Sequence, residues 1–168
     1  LLNRFLVNNP DYYEFFIVNP VNGEILVSTN EYMERDDRST HDYFKNPIIS
    51  DQIYFEDIYY SKTLAELTMT FSKPIYSNSF PNKEIVGVLV AHVNLNSSLY
   101  KLLLERVGLG ETGETLIVNK EGVALNQLRW FDNAPLNLHI TAEPAVKASQ
   151  GKTGIAKTKD YRGEEVFA

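Results

Sequence analysis

The sequence contains no cysteine, which excludes disulfide frameworks, thiolate metal sites and cysteine nucleophiles together. Long apolar runs are missing too. The longest, Ile85 to Val93, has 9 residues, where a membrane-spanning helix needs about 20. No secretory-leader pattern is visible, so the expectation is a soluble piece of something longer. There is no run of basic residues, and the formal net charge is −6. Nucleic acid is therefore excluded as a partner, because neutralising phosphates takes a basic stripe. G-x-S-x-G, H-E-x-x-H and P-loop patterns are absent, which leaves no constellation to support an enzyme.

What the 168 residues do contain is 43% hydrophobic side chains, with 10 Tyr and 9 Phe. That is enough for a packed core, and the aromatics favour a β-rich one. Leu1 to Asn8 has helical spacing but is too short to stand alone, and it reads as the end of a longer helix closed by Pro10. Tyr12 to Asn19 and Glu24 to Thr29 flank an Asn22-Gly23 hairpin signal. A charged loop with a short helix follows. Thr40 is the expected N-cap of another short helix, limited by Pro47.

Three further strands are expected at 53–60, 66–76 and 84–95. In the second, Leu67, Met69 and Phe71 alternate with Thr68, Thr70 and Ser72, the period of a half-buried strand. Ser77 to Lys83 has hairpin-loop composition, and Asn96 is expected to cap a helix over 97–107 that Gly108 ends. Two strands, a helical crossover and three antiparallel strands is the order of a PAS-like sheet.

The pattern then restarts. Ile117-Val118-Asn119 followed by Gly122 repeats Ile17-Val18-Asn19 followed by Gly23, which suggests a second copy. Its expected strands are 115–119, 122–126, 154–160 and 164–168, with a helix over 142–149. The fold class is thus α+β: tandem PAS-like modules, each an antiparallel sheet of about five strands with flanking helices. The expected divisions are 1–10 as the end of the N-terminal helix, 11–96 as the first module, 97–108 as a connecting helix and 109–168 as an incomplete second module. Its missing strand is expected to come from further sequence or a partner.

Gly108 to Gly113 matches G-x-G-x-x-G. The phosphate chemistry of that motif needs a strand before it and a helix after it. Here the order is reversed, and the glycines read as a helix stop and linker. His41, His92 and His139 have no metal-ligand spacing. His92 lies inside an apolar strand run, where it is either a satisfied core histidine or a ligand-facing one. Tyr43-Phe44 and the Asp57 to Lys62 segment place aromatics beside hydroxyls and charge, the composition of a small polar-ligand pocket.

The ordered segments FFIVNPVNGEILVST, THDYFKNP, IYYSKTLAELTMTFSKPIYS, IVGVLVAHVNL, LGETGETLIVNKEGVALN and GKTGIAKTKDYRGEEVFA resemble the double Cache sensor regions of histidine kinases, chemoreceptors and diguanylate cyclases. The resemblance implies an extracytoplasmic (periplasmic or extracellular) sensor of a membrane-anchored receptor, most readily a histidine kinase. It also implies a membrane-distal ligand module, no cofactor, and possible pairing of two copies through the N-terminal helix. A cytosolic PAS-like dimerisation or cofactor-binding module is the alternative.

Amino-acid-binding members of that family carry an Arg before the aromatic pair and two Asp residues. The corresponding positions here hold His41, Ser61 and His92, while Tyr43, Phe44 and Tyr59 match. The loss of the acids argues for a neutral or anionic ligand such as a short carboxylate. In this reading His41, Tyr59, Ser61 and His92 donate hydrogen bonds, and Arg38 and Lys73 supply charge.

Overall fold

A computed structural model of the chain describes residues 2–78, 83–104 and 108–168. The chain divides into two compact units, Leu1–Leu102 and Leu103–Ala168.

In the first unit, helix α1 (Leu2–Val7) is followed by strands β1 (Tyr12–Val18) and β2 (Ile25–Ser28), a 3-10 turn at Glu31–Met33, and helix α2 (Asp42–Ser50). Strands β3 (Tyr54–Ser61), β4 (Glu66–Tyr76) and β5 (Ile85–Val93) complete a five-stranded antiparallel sheet of order β2-β1-β5-β4-β3. The long β1 and β5 are central partners although they lie at opposite ends of the module sequence. The β1–β2 turn relies on Gly23, whose φ is +77°. A Cβ there would also meet Ser39 at 2.6 Å.

Adjacent strand residues face opposite sides, and the register makes the two faces chemically distinct. One transverse row runs Phe15–Ala91–Phe71–Phe55 across β1, β5, β4 and β3, with Phe55 and Phe71 in ring contact at 5.1 Å. On this side α1 lays Phe5 edge-on against Phe15, ring centroids 5.1 Å apart. An apolar groove of about 660 Å³ opens between them. On the other side α2 packs over β3, β4 and β5, enclosing a core that includes Phe16, Val18, Tyr43, Phe44, Val88 and Val90.

The alternation in β4 holds, with the polar phase inside. Thr68, Thr70 and Ser72 are buried, while Phe71 is 38% exposed. The apolar residues Leu67, Met69 and Phe71 occupy the opposite phase. Burial of the hydroxyls requires partners, and Thr68 Oγ1 donates to the Val93 carbonyl at 2.9 Å.

Several expectations are corrected. The α2 N-cap is His41 and makes no side-chain capping bond, so Thr40 does not cap. Pro47 lies inside α2 and does not limit it. Its ring is fully buried, and the Asp51 N–H bonds the Pro47 carbonyl in a left-handed C-cap, so packing and the cap offset the donor that proline lacks. Asn94, not Asn96, holds the turn after β5: its Oδ1 accepts the Asn96 and Ser97 N–H groups. Helix α3 accordingly starts later, at Leu99–Leu104. The expected helix end over 105–107 and the centre of the Ser77 to Lys83 loop lie outside the described residues.

The second unit has helix α4 (Glu143–Ser149) and a hairpin of β6 (Lys157–Lys159) and β7 (Glu165–Phe167). The strands expected at 115–119 and 122–126 are reduced to isolated bridges, Val118 with Ala124 and Val123 with His139. Side chains interrupt the ladder: Asn126 Oδ1 accepts the Ile117 N–H and its Nδ2 donates to the Thr115 carbonyl. Ala124, Leu128, Ala134, Ile140 and Ala145 form the local core. The repeated turn is structurally similar in the two units. The amides of Asn19 and Asn119 donate to the carbonyls of Glu24 and Val123, and Gly23 and Gly122 both have φ near +80°.

Phe16 is fully buried, so Phe16→Ala should cost about 3–5 kcal/mol. Phe71→Ala, across the sheet and partly exposed, should cost about 1 kcal/mol or less. Urea-unfolding midpoints of the two variants test this ordering of the faces.

Candidate functional site

The site lies where the apolar core under α2 gives way to polar groups. Direct register pairings place Glu14 (β1), His92 (β5), Thr70 (β4) and Glu56 (β3) in one transverse row across four strands. The adjacent row, Phe16–Val90–Ser72–Tyr54, belongs to the core side. Glu14 and His92 are 2% and 3% exposed, and Glu14 Oε1 lies 2.8 Å from His92 Nδ1. The Tyr59 hydroxyl is 2.8 Å from Thr70 Oγ1.

Rings join this row to α2 and the loop before it. Tyr43 meets His92 edge-to-face at 5.8 Å, and His41 stacks on Tyr43 at 4.7 Å. Phe16 closes the other side of His92 at 5.3 Å. Arg38, whose side chain is 12% exposed, is held by Asp36 at 3.1 Å.

The local electrostatics follow from this crowding. Burial, and then the neighbouring Asp42 carboxylate, push Glu56 above the usual carboxylate range, while His92 pulls it back. Burial, Arg38 and His92 hold His41 below the ordinary imidazole value. Tyr59 is pushed up to about 12, chiefly by burial, and Tyr43 is raised further for the same reason. Both phenols are neutral hydrogen-bonding groups at physiological pH.

Two buried atoms of the row have no hydrogen-bond partner among the described residues: His92 Nε2 and Glu56 Oε2. Buried polar atoms of this kind cost stability unless something satisfies them. No group of three or more His, Cys, Asp or Glu side chains among the described residues is arranged to hold a metal ion.

Of the residues expected from sequence, the structure gathers Arg38, His41, Tyr43, Tyr59 and His92. Phe44 belongs to the core beside them. Ser61 is buried at the end of β3 opposite Glu66, and its hydroxyl accepts the Leu64 N–H at the turn. That bond gives it a structural task. Lys73 is exposed and pairs with Leu89 on the outer face, so it is not part of the site. The opposite direction of alternate strand side chains removes it.

Glu14, Glu56 and Thr70 were not anticipated. For Glu14 a signal exists: an acid two residues before Phe16 and four before Val18 sits on the buried phase of β1. For Glu56 the bulge between Glu56 and Tyr59 breaks the phase, so periodicity alone cannot place it.

The Cache domain family model matches residues 1–168. The chain belongs to the Cache domain family. No curated protein sequence matches it. Among solved structures, the sensory domain of the Campylobacter jejuni chemoreceptor Tlp3 with isoleucine bound is 18% identical, with a TM-score of 0.66. That match covers 99% of this chain and 63% of that one. The ligand-binding domain of the Pseudomonas aeruginosa PAO1 amino acid chemoreceptor PctC, in complex with GABA, is 15% identical with a TM-score of 0.62, covering 96% and 67%. An extracellular ligand binding receptor from Desulfohalobium retbaense is 9% identical with a TM-score of 0.68, covering 99% of this chain and 29% of its own. The chain spans less than two thirds of the length of the first of these domains. At such identities the likeness establishes the fold.

Two tests follow from the row. Glu14→Leu strands a buried His92 nitrogen and should cost about 1–3 kcal/mol. Adding His92→Leu should recover part of that loss, because an apolar pair leaves no unmet polar group; chemical denaturation of both variants measures it. Glu56 gives a pH signature. Its carboxyl is raised in the fold, so above the ordinary carboxylate range its ionisation opposes folding, and below that range both states are protonated and the penalty vanishes. Glu56→Gln should therefore raise the melting temperature near pH 7, with the gain fading towards about pH 3.

Proposed function

We propose that this Cache domain is the extracytoplasmic ligand-sensing region of a membrane-anchored signal-transduction receptor. In this reading the first unit is the membrane-distal module that holds the ligand, and the second is part of a membrane-proximal one. A histidine kinase is the output favoured by the sequence resemblance, and a chemoreceptor fits the structural relatives equally well. Two copies would pair through the N-terminal helix.

One observation carries the sensing assignment: a buried polar row, with two unsatisfied atoms, at the edge of an otherwise well-packed core. A module serving only as a spacer has no use for Glu14, His92, Thr70 and Glu56 at positions where aliphatic side chains would stabilise it more. The ligand implied is a small polar metabolite seated between the row and α2. Arg38 retains guanidinium donors beyond its bond to Asp36 and could take a carboxylate of that metabolite. The relatives support a ligand of this size, since the Tlp3 domain holds isoleucine and the PctC domain holds GABA.

Binding would favour one position of α2 against the sheet, and the response is limited by the difference in affinity for the two positions. Thermal unfolding against short carboxylates, amino acids, amines and sugars tests this. A ligand present at 100 times its Kd should stabilise the unit by about 2.7 kcal/mol, and Tyr43→Ala should abolish that shift. A melting temperature that no member of the panel moves would count against the proposal.

A further inference from the structure

The two unsatisfied atoms of the row, His92 Nε2 and Glu56 Oε2, are both acceptors. Glu14 fixes the first of them. Its carboxylate lies 2.8 Å from His92 Nδ1 and only accepts when ionised, so the ring proton belongs on Nδ1 and the neutral imidazole presents a lone pair at Nε2. Glu56 Oε2 is likewise an acceptor while its carboxyl is ionised. A single hydrogen placed between these atoms would satisfy both.

Strand pairing sets the two side chains on one face with Thr70 between them, since Thr70 pairs with His92 on one side and with Glu56 on the other. Strands β3 and β5 lie two strand spacings apart, about 10 Å, and no hydrogen bond joins the two atoms as they stand. His92 is fixed by Glu14 and by the rings of Phe16 and Tyr43. Glu56 is the longer and more flexible side chain and sits beside the bulge of β3, so it is the member that can lean across Thr70.

The surrounding charge favours a proton at this place. Facing the pair are the carboxylates of Glu14 from β1 and Asp42 from α2, with the phenols of Tyr43 from α2 and of Tyr54 and Tyr59 from β3. Strand β4 contributes Thr70, which carries no charge. The cations are Arg38, held by Asp36, and the His41 imidazole, which faces Asp37 and Asp42 and is kept below its ordinary value chiefly by burial. Acids therefore outnumber the free cations, and burial with Asp42 already raises Glu56 above the usual carboxylate range.

We infer that this row binds a hydrogen ion, shared between the Glu56 carboxyl and His92 Nε2, and that the first unit thereby responds to acidity. The proton comes from solvent, forms a bond to one of the two atoms and a hydrogen bond to the other, and breaks nothing else in the chain. Its uptake removes one negative charge facing Asp42 in the first turn of α2, the helix that packs over β3, β4 and β5. This role goes beyond the metabolite sensing proposed above and does not depend on it, because side chains of the row hold the proton by themselves.

Nuclear magnetic resonance of the full chain, with no ligand added, tests it between about pH 8 and pH 5. The Glu56 carboxyl carbon and the His92 Nε2 nitrogen should change together in one step, and the Tyr43 amide should follow that step. Glu56→Gln should remain folded and remove the step from both His92 and Tyr43, because its amide can donate to Nε2 at every pH. Separate steps for Glu56 and His92, or a His92 step that persists in Glu56→Gln, would overturn the shared proton. So would the absence of any step, since a bound water would then be supplying both hydrogens. A Tyr43 amide that ignores the step would overturn the response to acidity. None of these outcomes bears on metabolite binding, which the thermal panel decides separately.

Discussion

The contact between Glu14 and His92 is the constraint around which the first unit is arranged. Both side chains lie on the buried face of the two central strands, and neither could be there without the other. An unpaired carboxylate or imidazole at 2% or 3% exposure would cost several kcal/mol in lost hydration. Their pairing also fixes register. A one-residue slip of β1 against β5 would turn Glu14 to the outer face and bring Phe15 beneath α2, leaving His92 Nδ1 without the Glu14 carboxylate. Hydrophobic patterning already disfavours such slips, and the polar pair makes the penalty sharper.

From that pair the division of the sheet follows. The face under α2 changes from aliphatic at Val18 and Val88, through Phe16 and Val90, to the row of Glu14, His92, Thr70 and Glu56. The face towards α1 stays apolar across the corresponding width, in Phe15, Ala91, Phe71 and Phe55. In the proposed reading, stability and recognition are served by different regions of one sheet. The inner aliphatic rows and the outer aromatic row hold the strands together, which permits four polar side chains on positions that would otherwise enlarge the core.

This division explains what the sequence revealed and what it concealed. Strand order and the β1–β2 hairpin were legible because aromatic and β-branched runs broken by Asn-Gly have few other solutions. Tyr43 and Tyr59 were expected from aromatics beside hydroxyls and charge, His41 and His92 from the family resemblance, and the structure brings the four together. The orientation of β4 was not, since alternation gives a period without saying which phase is inside, and an apolar phase is ordinarily assumed to be the buried one. Lys73, named for its charge alone, lies on the exposed phase of that strand. Glu56 was hidden by a bulge, and the strands expected at 115–119 and 122–126 gave way to isolated bridges where asparagine side chains take the ladder bonds. Each of these depends on pairing between distant segments, which local pattern does not encode.

The remaining asymmetry is between the two walls of the site. The row below is fixed by strand pairing on both sides of β5 and β4. The wall above, α2, is a helix of 9 residues with no side-chain N-cap and an internal proline, so few of its own bonds hold it. Its position depends on Tyr43, Phe44 and Pro47 packing onto the sheet. In the proposed reading, a ligand between a rigid row and a helix held mainly by packing changes the helix position at small energetic cost, because little secondary structure has to be broken. In that reading, the same weakness that makes α2 a poor isolated helix makes it a suitable moving part, with Tyr43 in its first turn in ring contact with His92 and the N-cap His41 stacked on Tyr43.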